Sequence, residues 1–113
     1  RLSDLAVAAV RKVLDAYRDR DADKAHEVWD EDVELDDAYT GLFRELLTYM
    51  MEDPRSITSC THLLFMAKNI ERIGDHATNI AESVWFAVTG KPLQTPRRKG
   101  DVTAEPVMPK LGG

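Results

Sequence analysis

The chain has 113 residues, of which 43% are hydrophobic and 31% are charged, and a formal net charge of −5 at pH 7. This composition is typical of a single soluble globular domain and excludes a disordered chain. No run of about 18 apolar residues occurs, which argues against a membrane-spanning helix in this sequence.

The first predicted helix covers about residues 4–18 and is amphipathic. Its apolar side chains recur at the three-to-four spacing of one buried helix face: Leu2, Leu5, Ala6, Ala9, Val13, Ala16 and Tyr17. Because the sequence begins at Arg1 rather than at Met, directly before this pattern, we expect the chain to be part of a longer protein.

The second predicted helix covers about residues 23–52, and Asp21 and Asp23 suit the turn and the N-cap before it. Its expected inner stripe consists of Val28, Leu35, Tyr39, Leu42, Leu46, Tyr49 and Met50. The segment 30–37 has six acids in eight positions and no base. Like charges at helical spacing repel one another, so this segment needs solvent, a basic partner or a cation around it. A solvated acidic face is the plainest interpretation from composition alone.

The third predicted helix covers about residues 54–88. Asp53 is placed to cap it, Pro54 suits its first turn, and Gly90 suits its C-terminal end. Small residues recur every seven positions along its inner seam: Cys60, Ala67, Gly74 and Ala81, interleaved with Leu63, Ile70, Ala77 and Val84. Small seam residues allow a neighbouring backbone to approach closely, and the seven-residue period favours left-handed supercoiled packing.

Short connections between these segments require neighbouring helices to be antiparallel. The sequence therefore predicts an all-α fold, an up-down-up three-helix bundle over residues 1–90. Residues 91–113 are basic, contain four prolines and show no apolar periodicity, which predicts a flexible tail. Because this tail carries a net charge of +3, residues 1–90 carry −8 and are expected to repel nucleic-acid phosphates.

Cys60 is the only cysteine, so an intrachain disulfide and a thiolate zinc cage are both excluded. Its small side chain suits a position in the helical core. A lone cysteine also fits a reducing compartment.

Two columns of oxygen-bearing side chains are the most distinctive chemical feature of the chain. Glu71, Asp75 and Asn79 are spaced four residues apart and therefore lie on one face of the third helix. Asp32 and Asp36 form a similar pair on the second helix. Asp32 precedes the turn between the two helices by about as many residues as Asp75 follows it. Antiparallel packing is therefore expected to place the two columns side by side.

The convergence of these acids predicts a metal site with Asp32, Asp36, Glu71 and Asp75 as its ligands. Converging carboxylates repel one another unless protons or a cation intervene. Oxygen ligands suit hard divalent or trivalent ions, with magnesium, manganese, calcium and iron as candidates and zinc retained beside them. A solvated rim of charges is the alternative interpretation.

Residues close to the two columns are candidates for further metal ligands or for neutralising charges. Asn79 offers a carbonyl oxygen as an additional ligand or as a hydrogen bond between helices, and Glu82 offers a carboxylate, although a surface role is plainer for Glu82. Lys68 and Arg72 are placed to neutralise the acids through helix pairs. A ferritin-like di-iron enzyme would require Glu-x-x-His, and Gly74 stands three residues after the glutamate, which counts against oxidase chemistry.

A family resemblance rests on the same stretch. Residues 71–82 (ERIGDHATNIAE), followed by VTG at residues 88–90, resemble the C-terminal signature of the PhoU phosphate-signalling regulators. The resemblance extends over residues 1–91. These residues correspond to one three-helix half of a protein that is built from two such halves in tandem.

The resemblance implies metal clusters held by paired acidic motifs, in which Glu or Asp is followed four residues later by Asp. The motif pairs Asp32 with Asp36 and Glu71 with Asp75, the four residues already selected. It also implies a cytoplasmic, non-catalytic negative regulator that links the ATPase subunit of the phosphate ABC transporter to a sensor histidine kinase. We further expect a homo-oligomer.

A carboxylate-bridged metalloprotein with storage or oxidase chemistry is the alternative function, and it is favoured by the same acids. A purely structural bundle without a ligand is the third interpretation. Metal content of the purified chain and its thermal stability before and after chelation distinguish these functions.

Overall fold

The computed structural model describes residues 1–93, so the tail predicted for residues 91–113 lies almost wholly outside the described residues. Over the described range the chain forms three α-helices, α1 (Leu2–Asp19), α2 (Ala22–Glu52) and α3 (Ile57–Thr89), with a 3-10 turn at Pro54–Ser56. No strand occurs in residues 1–93. The predicted all-α three-helix fold is therefore confirmed.

The turn between α1 and α2 is built as the sequence predicts. Arg20 adopts a left-handed conformation with φ 51°, and the Asp21 N–H donates a hydrogen bond to the carbonyl of Ala16 at 2.9 Å. The Asp21 carboxylate then accepts a hydrogen bond from the Lys24 N–H at 3.0 Å and so caps α2.

The residues predicted to begin and end α3 occupy those positions. The Asp53 carboxylate accepts a hydrogen bond from the Arg55 N–H at 3.1 Å, and Pro54 occupies the first position of the 3-10 turn that leads into the helix. Gly90 ends α3 with a positive φ of 74°, and its N–H donates to the Phe86 carbonyl at 2.8 Å. The third helix is thus predicted correctly, except that its first turn is a 3-10 helix.

All three helices pack on one another, and the core lies along their shared axis. The small residues predicted for the α3 seam are buried, which confirms that role for Cys60, Ala67, Gly74 and Ala81. They face buried residues of the other two helices, namely Leu2, Ala6, Val13, Ala16, Ala25, Val28 and Leu35. None of the three helices combines the length and the apolarity needed to cross a lipid bilayer, within the residues described.

Part of the predicted inner stripe is exposed instead. Tyr49 of α2 and Leu63 of α3 have 55% and 47% of their surface exposed. Within residues 1–93, α1 does not lie beside this part of the α2–α3 hairpin, and a cleft of about 630 Å³ opens there. Tyr17 is exposed as well, because Ala16 takes the buried position at that end of α1.

α2 and α3 approach each other closely at Gly74. A Cβ atom at this position would lie 2.6 Å from Cδ1 and 3.2 Å from Cδ2 of Leu35, which is closer than side chains pack. Leu35 is itself buried, so it has little room to move aside. The absence of a side chain at Gly74 therefore sets the distance between the two helices.

Candidate metal centre

The acids predicted on the second and third helices meet near the middle of α2 and α3. Asp32, Asp36 and Asp75 each place one carboxylate oxygen within 4.8 Å of the other two. Asp32 and Asp36 have only 4% and 1% of their surface exposed, and Asp75 is half-buried. The structure thus brings together three of the four carboxylates proposed as ligands.

The local geometry explains this convergence. Asp32 and Asp36 are one helical turn apart and point to the same side of α2. Leu35, next to Asp36, packs on Gly74, next to Asp75. The tight contact between Leu35 and Gly74 therefore holds the acids of α2 beside the acid of α3.

The donor set suits a hard cation. All three groups offer oxygen, which hard ions bind at about 2.0–2.6 Å, so two oxygens on one ion lie at most about 4–5 Å apart. The spacing within 4.8 Å is compatible with one shared ion. The burial of Asp32 and Asp36 further favours a bound cation, because like charges repel more strongly in a low-dielectric interior than in water.

Glu71, the fourth predicted ligand, borders this group on α3. Its carboxylate accepts a hydrogen bond from Lys68 Nζ at 2.9 Å, and its protonated form shares a hydrogen bond with Asp36. Burial raises the pKa of the Glu71 carboxyl, the hydrogen bond from Lys68 opposes that rise, and the hydrogen bond with Asp36 adds to it. Glu71 is thus linked to the three converging acids through Asp36.

Lys68 supplies a positive charge beside Glu71, at the edge of the group of acids. Its ammonium group is hydrogen-bonded to Glu71 and lies 5.3 Å from the centre of the Tyr39 ring on α2. The hydrogen bond to Glu71 raises the pKa of Lys68, while partial desolvation lowers it. The neutralising role predicted for Lys68 is therefore confirmed, whereas Arg72 is exposed.

The two additional ligand candidates are both exposed. Glu82 Oε2 accepts a hydrogen bond from Trp29 Nε1 at 3.0 Å. The backbone carbonyl of Asn79 accepts a hydrogen bond from the Ser83 hydroxyl at 3.2 Å, within α3. The structure does not bring Glu82 into the group formed by the three aspartates.

An aromatic cluster near the C-terminal end of α3 was not predicted from the sequence. The His26 ring lies 5.7 Å from the ring of Trp29 and 5.3 Å from that of Trp85, and its Nδ1 is 3.1 Å from an oxygen of Asp30. His26 and Trp29 are three residues apart on α2, a spacing that signals neighbours on one helix face. The cluster ties α2 to α3, as does the hydrogen bond from Trp29 to Glu82.

The raised pKa of Glu71 gives a pH prediction for the metal-free protein. A carboxyl whose pKa is raised by folding contributes stability below its ordinary pKa of 4.5, and that contribution is lost as the pH rises through the folded pKa. Glu71→Gln mimics the protonated form at every pH. We therefore expect this variant to match the wild type at low pH and to become progressively more stable than it as the pH rises.

Urea unfolding of both proteins in excess chelator, at half-unit steps from pH 4 to pH 8, measures this difference. Taking the difference between the two proteins cancels the titration of the groups that do not interact with Glu71. A constant difference across the range would contradict the raised pKa of Glu71.

The PhoU domain family matches this chain over residues 1–84. Curated proteins of this type are similar over most of the chain. The phosphate-specific transport system accessory protein PhoU homolog of Rhizobium meliloti (strain 1021) is 58% identical over 103 residues, which are 91% of this chain and 44% of that protein. The protein of the same name from Caulobacter vibrioides is 54% identical over 105 residues, 93% of this chain and 46% of that protein.

A more distant relative is similar over a shorter range. The phosphate-specific transport system accessory protein PhoU of Escherichia coli (strain K12) is 44% identical over 85 residues, which are 75% of this chain and 35% of that protein. The chain thus spans somewhat less than half the length of the curated relatives that it matches.

Proposed function

This chain belongs to the PhoU family, and from that membership we propose that it acts in an accessory regulator of phosphate transport. The observation that carries the proposal is the identity of 54–58% with proteins named as accessory proteins of phosphate-specific transport. We assign it a regulatory rather than an enzymatic role, because the family is named for that role.

The finer assignment concerns partners. We propose a cytoplasmic adaptor that contacts the ATPase subunit of the phosphate ABC transporter and a sensor histidine kinase, and that represses phosphate uptake and signalling when phosphate is abundant. A homo-oligomer is the assembly we expect. The net charge of −8 on residues 1–90 supports protein partners with basic surfaces over nucleic acids.

We further propose that Asp32, Asp36 and Asp75 hold a hard metal ion, with Glu71 joining them after it separates from Lys68. The spacing of the three carboxylates and the burial of two of them support this assignment. Such an ion would neutralise the crowded acids and crosslink α2 to α3. Asn79 and Glu82 have less support as ligands, since both are exposed.

Metal storage or oxidase chemistry is the second candidate, since three carboxylates also occur in carboxylate-bridged sites. The group of side chains brought together contains only aspartates and no histidine. This donor set favours a hard ion with a structural or regulatory role over a redox pair.

Affinity capture tests the adaptor role. We expect the immobilised chain to retain the transporter ATPase subunit or the kinase sensor region from cells grown in high phosphate. The comparison is made with and without added MnCl₂, and with an Asp32→Asn, Asp75→Asn double variant as control. Failure of the intact protein to retain either partner under high phosphate would refute the adaptor role and leave the metal proposal to its own test.

A further inference from the structure

The side chain of Lys68 occupies a defined place at the edge of the acid cluster. Its Nζ lies 2.9 Å from Oε1 of Glu71 and 5.3 Å from the centre of the Tyr39 ring. The Glu71 side chain is 10% exposed, whereas that of Lys68 is 52% exposed. Lys68 therefore reaches from the surface of α3 to a buried carboxylate.

Glu71 is in turn linked to the converging aspartates. It shares a hydrogen bond with Asp36, and its charge interacts with that of Asp75. Lys68 also interacts electrostatically with Asp75. The ammonium group is thus the positive charge that the described structure places at the edge of four crowded acids.

We propose that Lys68 is a built-in counter-cation that occupies the edge of the metal centre and is displaced when the metal binds. This inference rests on the proposed metal site. In the metal-free protein the ammonium partly offsets the negative charge of Glu71, which lowers the repulsion among the acids. When a divalent ion supplies that positive charge, Lys68 and the ion repel each other, and the lysine side chain moves into solvent.

The position of Lys68 suits such an exchange. Its half-exposed side chain can swing outward without opening the core, because the ammonium group is held at the surface by the hydrogen bond to Glu71, by the face of Tyr39 and by its attraction to Asp75. A long lysine stem keeps its charge accessible to water in either position. Lys68 would thereby set the metal affinity of the centre without being a ligand.

Replacing Lys68 with methionine tests this inference. The variant keeps the length of the side chain and removes its charge. We expect Mn²⁺ to bind the Lys68→Met chain about three- to tenfold more tightly than the wild type, as the loss of one partly exposed repulsive charge implies. The melting temperature of the metal-free variant is expected to fall, and that of the metal-loaded variant to change little.

Two controls separate this role from a general change in charge. Lys68→Arg retains the charge and is expected to bind Mn²⁺ as the wild type does. Arg72→Met removes the same charge from an exposed position one turn along α3, and is expected to change the affinity less than Lys68→Met. Equal effects of Lys68→Met and Arg72→Met would overturn the proposal.

Chemical labelling reports the displacement directly. Reductive methylation followed by mass spectrometry is expected to modify Lys68 faster after addition of MnCl₂, while labelling of Lys24, at the start of α2, stays constant. If a protein that binds Mn²⁺ shows unchanged labelling of Lys68, the proposed displacement of Lys68 is refuted. The proposed metal site is not affected by that result. If the wild type does not bind Mn²⁺ at all, the metal proposal falls and this inference falls with it.

Discussion

Replacing Asp36 with asparagine is expected to abolish metal-dependent stabilisation and, at the same time, to make the metal-free protein more stable. Asp36 is only 1% exposed and lies between Asp32, Asp75 and Glu71. Asparagine has nearly the same shape and donates a hydrogen bond to a carboxylate, so the packing is retained while one of the crowded charges is removed.

The two effects have opposite signs. Loss of a charged ligand is expected to weaken Mn²⁺ binding by more than about 100-fold, since even changes around the ligands of a metal site cost about 10- to 100-fold. Relief of repulsion among buried carboxylates is expected to raise the melting temperature of the metal-free chain, because like charges repel more strongly in the interior than in water.

Isothermal titration with MnCl₂ and thermal unfolding in excess chelator measure both effects of Asp36→Asn. Asp37→Asn is the matched control, because it removes the same charge from the exposed neighbouring position on α2. A variant at Asp36 that binds Mn²⁺ as tightly as the wild type would show that the converging acids form a solvated rim and not a metal site.

Placing a side chain at Gly74 is expected to destabilise the bundle, unlike the same change at Gly41, where a Cβ atom would meet nothing within 4 Å. Alanine normally stabilises a helix interior by about 1 kcal/mol relative to glycine. Here the new Cβ would stand 2.6 Å from Cδ1 of Leu35, which is 2% exposed and enclosed by the core. Overpacking of this kind costs about 1–3 kcal/mol, so we expect Gly74→Ala to lower the stability despite the gain in helix propensity.

The sign of the effect should reverse when Leu35 is shortened. Leu35→Ala alone is expected to cost about 2–5 kcal/mol, because it removes a buried leucine and leaves a cavity. In that background Gly74→Ala enters open space and is expected to stabilise the chain. Urea unfolding of the four proteins gives the coupling between the two positions. A Gly74→Ala effect that is the same in both backgrounds would contradict the close approach of α2 and α3.

Gly74→Ala is also expected to affect metal binding, because residue 74 lies between Glu71 and Asp75 on α3. Separation of α2 from α3 at this point would move Asp75 away from Asp36. We therefore expect the metal affinity of the variant to fall together with its stability.

The three-helix fold is predictable from the sequence because the signals for it are local. Asp21, Pro54 and Gly90 mark helix ends through capping oxygens, a fixed φ and a positive φ, each of which depends on neighbouring backbone alone. The small-residue seam of α3 likewise follows from spacing. The exposure of Tyr49 and Leu63 was not predictable, because it depends on how the three helices are aligned along one another, which local spacing does not determine.

The candidate site is predictable only in part. Counting residues from the turn was sufficient to place Asp32 and Asp36 opposite Asp75, since antiparallel helices advance at the same rise per residue. The hydrogen bond between Glu71 and Lys68 was not predictable as a competitor for the metal, because spacing does not determine side-chain rotamers. The hydrogen bond between Trp29 and Glu82 was missed for the same reason, as it joins residues on different helices.

Both buried clusters and the three converging aspartates lie where all three described helices pack together, whereas Tyr49 and Leu63, on the side of the Pro54 turn, are exposed. Local unfolding starts where few apolar contacts must be broken. We therefore expect the amide hydrogens around the Pro54 turn of this chain to exchange with solvent before those of the residues that surround Asp36.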